Sequence, residues 1–100
     1  MIYELLDYGR ENARPGRELA EFFNCGIRQI TGQIEKERRE GRPICATMGK
    51  DPGYYLAADD AELNDYCDRL KGRALELLKT RQALIKILQG IRDGAQAQEA

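Results

Sequence analysis

Leu19-Ala20-Glu21-Phe22-Phe23-Asn24-Cys25-Gly26-Ile27-Arg28-Gln29-Ile30-Thr31-Gly32-Gln33-Ile34 is the stretch that decides how this chain folds. Leu19, Ala20, Phe22 and Phe23 give a helix over Arg17–Phe23 its apolar side, and Pro15 is suited to its first turn. Asn24, Cys25 and Gly26 interrupt it, and both Asn and Gly tolerate the left-handed backbone that ends a helix and turns the chain sharply. Ile27, Ile30 and Ile34 then recur at i, i+3 and i+7, the narrow stripe of another helix, which Gly41 closes. Two helices joined by a tight turn therefore stand at the centre of the sequence.

On the amino-terminal side, Ile2, Leu5 and Leu6 fall at helical spacing and predict a short amphipathic helix over Ile2–Tyr8, stopped by Gly9. Asn12–Gly16, with its Asn, Pro and Gly, reads as a loop. On the carboxy-terminal side the pattern turns extended. Arg42–Thr47 predicts a strand whose Pro43 confines it to a start or an edge, Met48–Gly53 is turn chemistry, and Tyr54–Ala57 predicts a second strand. Together they make a hairpin, in which Tyr54 and Tyr55 are packing residues.

Asp59-Asp60-Ala61-Glu62 is a helix start, with a capping Asp and acidic residues in the first turn. Leu63, Cys67, Leu70, Ala74, Leu77, Leu84, Leu88 and Ile91 follow in alternating steps of four and three that only Arg81 breaks. A helix running to about Ile91 is about 45 Å long. It is too long to bury against so small a domain, so part of its stripe is expected to face another chain. Arg81 either sets register and strand number or marks where the helix leaves that interface. Residues 94–100 are expected to fray.

Composition bounds the function. The chain has 100 residues, 42% of them hydrophobic, which is one small domain. A piece of about 58 residues buries only about 60% of its unfolded surface, which favours oligomerisation. Sixteen basic residues stand against seventeen acidic ones, net −1, so no global positive field exists. Residues 1–58 are balanced too, and any positive surface must come from placement. Cys25, Cys45 and Cys67 lack paired spacing and there is no His, so neither a zinc site nor a disulfide framework is expected, and the thiols are read as reduced. No signal-like or membrane-spanning apolar run is present. The expectation is a cytoplasmic protein with no membrane partner, no metal and no cofactor. It is not expected to be an enzyme, because no His, no phosphate-binding Gly-rich loop and no Ser or Cys with a plausible base is found, and Asp59-Asp60 serves as a cap.

The run Leu19 to Ile44, followed by Gly53-Tyr54-Tyr55-Leu56, resembles the winged helix-turn-helix of bacterial and phage regulators, most nearly the biotin-operon-repressor and DeoR-type modules. Their pattern is Leu-Ala, a turn, a recognition helix with an Ile every fourth residue, Arg-x-x-Gly-x-Pro-Ile and Gly-Tyr-x-Leu. Arg38, Gly41, Pro43, Ile44, Gly53, Tyr54 and Leu56 fall on it. The resemblance implies a mainly α fold with a small β-hairpin: a three-helix bundle plus wing over residues 1–58, a long heptad-bearing dimerisation helix over 59–93 and a tail at 94–100. Two positions depart from the pattern. Gly26 replaces a capping Ser or Thr, and Glu37 replaces a Leu, which predicts a weaker cap and a helix that ends early or rotates.

By the same resemblance the function is sequence-specific binding of double-stranded DNA by a homodimeric transcription regulator, with two modules meeting successive half-sites. With Ile30 and Ile34 facing the core, Arg28, Gln29, Thr31, Gln33 and Lys36 are left as candidate readers, since Arg suits a guanine edge, Gln an adenine edge and Thr a phosphate or thymine methyl. Gly32 in a helix interior fits close approach to a groove wall. Arg14 and Arg17 flank the helix end that would approach phosphate, Lys50 tips the wing and Arg42 stands at its base. The other reading is a protein-interaction adaptor, for instance in a phage or replication assembly. The balanced charge and the carboxylates Glu35, Glu37 and Glu40 favour it.

Overall fold

Gly16–Phe23 and Ile27–Arg39 form the two central helices, α1 and α2, in a computed structural model that describes residues 1–99, with side chains described for residues 1–94. The chain is mainly helical, with a small three-stranded antiparallel sheet and a long C-terminal helix. Asn24 supplies the left-handed residue between α1 and α2 (φ 51°, ψ 53°), and the amides of Asn24 and Cys25 close the last turn on the carbonyls of Glu21 and Ala20. α2 ends in the same manner. Gly41 takes φ 102°, its amide reaches Arg38, and the amide of Arg42 reaches Glu37 at 3.0 Å.

The strands are β1 (Arg14–Pro15), β2 (Ile44–Ala46) and β3 (Gly53–Leu56), in the order β1-β3-β2. The hairpin pairs Ile44 with Leu56, Cys45 with Tyr55 and Ala46 with Tyr54, so β2 is shorter than the expected Arg42–Thr47 and β3 begins and ends one residue earlier than Tyr54–Ala57. Thr47 closes it from both sides: its amide donates to the Gly53 carbonyl and its hydroxyl accepts from the Gly53 amide, each at 2.8 Å. β1 pairs Arg14 with Tyr54 and Pro15 with Gly53, inside the segment expected to be loop. Alternation across the sheet separates two buried clusters. Ile44 and Leu56 join Ile2, Leu6, Leu19, Ala20, Ile30 and Ile34 on one side, while Cys45 and Tyr55 meet Tyr66 on the other.

The expected first helix over Ile2–Tyr8 is not formed. A 3-10 turn spans Ile2–Leu5, a second spans Arg10–Asn12, and the three-helix bundle is in fact two α-helices with this turn laid against them. Tertiary bonds explain the change. β3 claims the backbone after Leu6: the Leu56 amide donates to the Asp7 carbonyl and the Gly9 amide donates to the Leu56 carbonyl, both at 2.9 Å, while Tyr8 bridges Leu56 in parallel. Gly9 turns this segment with φ 95°, where an L side chain is strained.

Glu37 holds the segment's other end. It is fully buried, and its carboxyl group accepts the amides of Ile2 (3.0 Å) and Tyr3 (2.7 Å) and the side-chain amide of Gln33 (2.8 Å). The helix does not end early at this departure from the pattern: it continues to Arg39, with Glu37 facing the core. Its carboxyl group caps the orphan amides of the first 3-10 turn, and this is why a polar side chain is stable in the core.

α3 runs Asp60–Glu99, beyond the expected end near Ile91. Asp59 caps it by accepting the Glu62 amide at 2.9 Å, and Glu62 reaches back to the amide of Ala58 at 3.1 Å. The compact unit is Met1–Tyr66, so the first turns of α3 belong to it, and Cys67 onward forms a second unit. The tail expectation for residues 94–100 falls on positions whose side chains, Gly94 excepted, lie outside the described residues.

Candidate nucleic-acid interface

α2 divides by face. Ile30, Ile34 and Glu37 point inward, and Arg28, Thr31, Gly32, Glu35, Lys36 and Arg39 are exposed along the opposite side. Ile27, expected in the apolar stripe, is 52% exposed, since it opens the first turn beyond the core. Glu35 is engaged by Arg38 at 2.6 Å, which leaves Arg28, Lys36 and Arg39 as the positive side chains of this face. Arg39 was not among the expected readers. Its spacing of eleven from Arg28 is the signal that would have found it.

The expected readers separate into two groups. Arg28, Thr31 and Lys36 lie on the outer face, where the Thr31 hydroxyl donates back to the Ile27 carbonyl at 3.1 Å. Gln29 and Gln33 instead edge a cleft of about 430 Å³ against Met1, Ile2, Phe23 and Cys25. Both have local work. Gln29 accepts the Gly26 amide at 2.9 Å and so supplies the cap that Gly26 cannot, while Gln33 braces Glu37.

Three of the remaining candidates, Arg14, Arg17 and Arg42, carry partners. Arg14 lies 3.6 Å from Asp7 and 4.0 Å from Glu18, and Arg17 lies 3.4 Å from Asp51 of the hairpin loop. These are exposed pairs of small energy that a phosphate can displace. Arg42 stacks on the Tyr3 ring at 3.8 Å and donates to its hydroxyl at 3.0 Å, which fixes it at the hairpin base. Lys50 is exposed in the loop. Tyr55 is fully buried and Tyr54 half-buried, as packing residues are.

Arg38 ties the unit together behind this face. Its guanidinium donates to the Ile44 carbonyl and the Tyr66 hydroxyl, both at 2.8 Å, as well as to Glu35. Burial pushes the Tyr66 hydroxyl above its ordinary pKa, with Arg38 pulling the other way. At the turn itself Phe22 is 69% exposed and packs edge-on against Phe23, with ring centroids 5.1 Å apart.

In the long helix, Leu63, Cys67, Leu70, Ala74, Leu77, Leu84, Leu88 and Ile91 are all exposed at their heptad spacing. Among the described residues no group of three or more His, Cys, Asp or Glu side chains is placed to hold a metal ion. No described helix is long and apolar enough to cross a membrane. No family model matches the chain, and neither the curated proteins nor the solved structures contain a match.

Proposed function

We propose that the chain is a winged helix-turn-helix protein that binds double-stranded DNA sequence-specifically and regulates transcription in the cytoplasm as a homodimer joined through α3. The observation that carries this reading is the outer face of α2: Arg28, Thr31, Lys36 and Arg39 stand on one side of a helix that follows a tight turn and precedes a hairpin. The strand order β1-β3-β2, which adds a short strand before α1 to the hairpin, supports the winged assignment. Arg28 is the side chain best suited to a guanine edge, and Lys36, Arg39 and the hairpin-loop Lys50 are suited to phosphates. With no net positive charge, affinity must come from this local arrangement.

The test is anisotropy of a labelled random-sequence duplex titrated with the full chain at several salt concentrations. Binding that weakens as salt rises is expected, and Arg28→Ala combined with Lys36→Ala should weaken it by roughly tenfold or more. Absence of binding even at low salt refutes the reading. The substitution of Gln29 belongs in a stability control, because its amide caps α2.

A second reading, docking onto another protein, draws on the exposed Phe22 and Ile27 beside the turn. Under it, Phe22→Ala abolishes association with the partner while the Arg28 and Lys36 substitutions leave it intact.

A further inference from the structure

From the exposed face of α3 we infer that two copies of this chain pair antiparallel over residues 74–91, centred between Gln82 and Ala83. The inference rests on the homodimer reading and specifies its geometry. Leu77, Leu78, Leu84, Ile87, Leu88 and Ile91 are between 43% and 72% exposed. A Leu or Ile in that state leaves about 100 Å² open, so the six expose roughly 600 Å² per helix, against about 800 Å² per partner in a standard interface. That area is of the size a stable dimer needs, and it is concentrated in the later part of the helix.

Orientation follows from which residues would meet. The seam residues are Ala74, Leu77, Arg81, Leu84, Leu88 and Ile91, with Leu78 and Ile85 flanking on one side and Arg73, Thr80 and Ile87 on the other. A parallel, in-register pair stacks Arg81 on the second copy's Arg81 in one core layer. It also sets Leu78 beside the second copy's Arg73 and Ile87 beside its Arg92. Each of those contacts joins like charges or puts an apolar side chain against a charge.

An antiparallel pair about the stated centre removes the Arg81–Arg81 layer and the Leu78–Arg73 and Ile87–Arg92 contacts, and leaves Lys71 near the second copy's Arg92 at the edge of the overlap. Its layers are Ala74 with Ile91, Leu77 with Leu88 and Arg81 with Leu84, each repeated by symmetry. The two arginines fall in different layers, where each stem packs on a Leu and its head group reaches solvent. On the flanks, Leu78 meets Ile85 of the second copy and Thr80 meets Ile87. Arg81, the single break in the heptad series, thereby selects the direction of pairing at some cost in seam burial. Leu75 stands outside this seam, and nothing in the structure explains its exposure.

The two orientations place Cys67 very differently. It is exposed and lies well before the overlap, whereas Cys45 is buried. In the antiparallel pair the two Cys67 residues are about 45 Å apart along the rod, and in the parallel pair they face each other across helices about 10 Å apart. The experiment is dipolar electron spin resonance on the full chain carrying a nitroxide at Cys67 in a Cys25→Ser background, repeated in Cys25→Ala, with mass from light scattering at the same concentration. A dimeric mass with a distance near 45 Å is expected. A dimeric mass with a distance under about 20 Å overturns the antiparallel pairing and leaves the homodimer standing. A monomeric mass without a dipolar signal overturns both.

Discussion

Replacing Glu37 by Leu restores the residue that the winged pattern carries at this position, and on hydrophobicity alone it should stabilise the core. The structure argues the opposite. Glu37 is fully buried and takes the amides of Ile2 and Tyr3, which lose this acceptor when it is replaced. Leaving two such donors without an acceptor costs about 1–3 kcal/mol each, the Tyr3 amide less because it is only partly buried. Better transfer of the Leu side chain returns about 1.5–3 kcal/mol if it packs well. The net expectation is a loss of about 1–3 kcal/mol for Glu37→Leu, and about 3–5 kcal/mol for Glu37→Ala, which offers neither acceptor nor packing. For a domain of this size the larger figure lowers Tm by roughly 15 °C or more. Urea denaturation followed by circular dichroism measures both values, and hydrogen exchange at the Ile2 and Tyr3 amides locates the damage. Both amides should exchange far faster in either variant. A Glu37→Leu chain as stable as the parent, with those amides still protected, refutes the reasoning.

Two further outcomes follow from single side chains. Because the folded state holds the Tyr66 proton more tightly than the unfolded state does, its contribution is complete below the ordinary tyrosine value of 10.0 and is lost as pH climbs from there through the raised folded value. Urea midpoints between pH 9 and 11.5 should therefore fall less steeply for Tyr66→Phe than for the parent, although Phe forfeits the Arg38 bond and starts lower. Gly32→Ala separates folding from binding: a Cβ there meets nothing within 4 Å, so the helix gains about 1 kcal/mol in Tm-derived stability. If α2 lies against a groove wall, the same methyl weakens duplex binding measured by anisotropy, and unchanged binding counts against close approach at Gly32.

Much of the centre of this fold is legible in the sequence because local and tertiary preferences agree there. Ile30 and Ile34 are spaced for one face and are buried, Asn24 is among the few non-glycine residues that enter the left-handed region readily, and Asp59 caps the helix it precedes. The first eight residues are not legible in this way. Three apolar residues in five positions fit a helix turn, a 3-10 turn or an irregular segment equally well, and what decides is the free edge of Leu56, which takes the backbone of Asp7 and Gly9. β1 is hidden for a related reason. Two residues, one of them Pro15, give no alternation to read, and only the neighbouring β3 makes them a strand.

The candidate site shows the same division at the level of single side chains. Arg28 and Lys36 are exposed for the reason the periodicity gives: they lie opposite Ile30, Ile34 and Glu37. Gln29 and Gln33 satisfy the identical periodicity loosely, and an amide suits an adenine edge as well as it suits a backbone amide. Their use is decided by Gly26 and Glu37, the two departures from the winged pattern. Gly26 has no side chain to cap α2, so Gln29 caps it; Glu37 has a carboxyl group where an apolar side chain is usual, so Gln33 and the amides of Ile2 and Tyr3 gather around it. Each departure is thus compensated by a neighbour that would otherwise be free to read a base. Under the proposed DNA-binding reading, the face that could touch bases narrows to Arg28, Thr31, Lys36 and Arg39, and a module with so few direct contacts would gain most from acting as one of a pair.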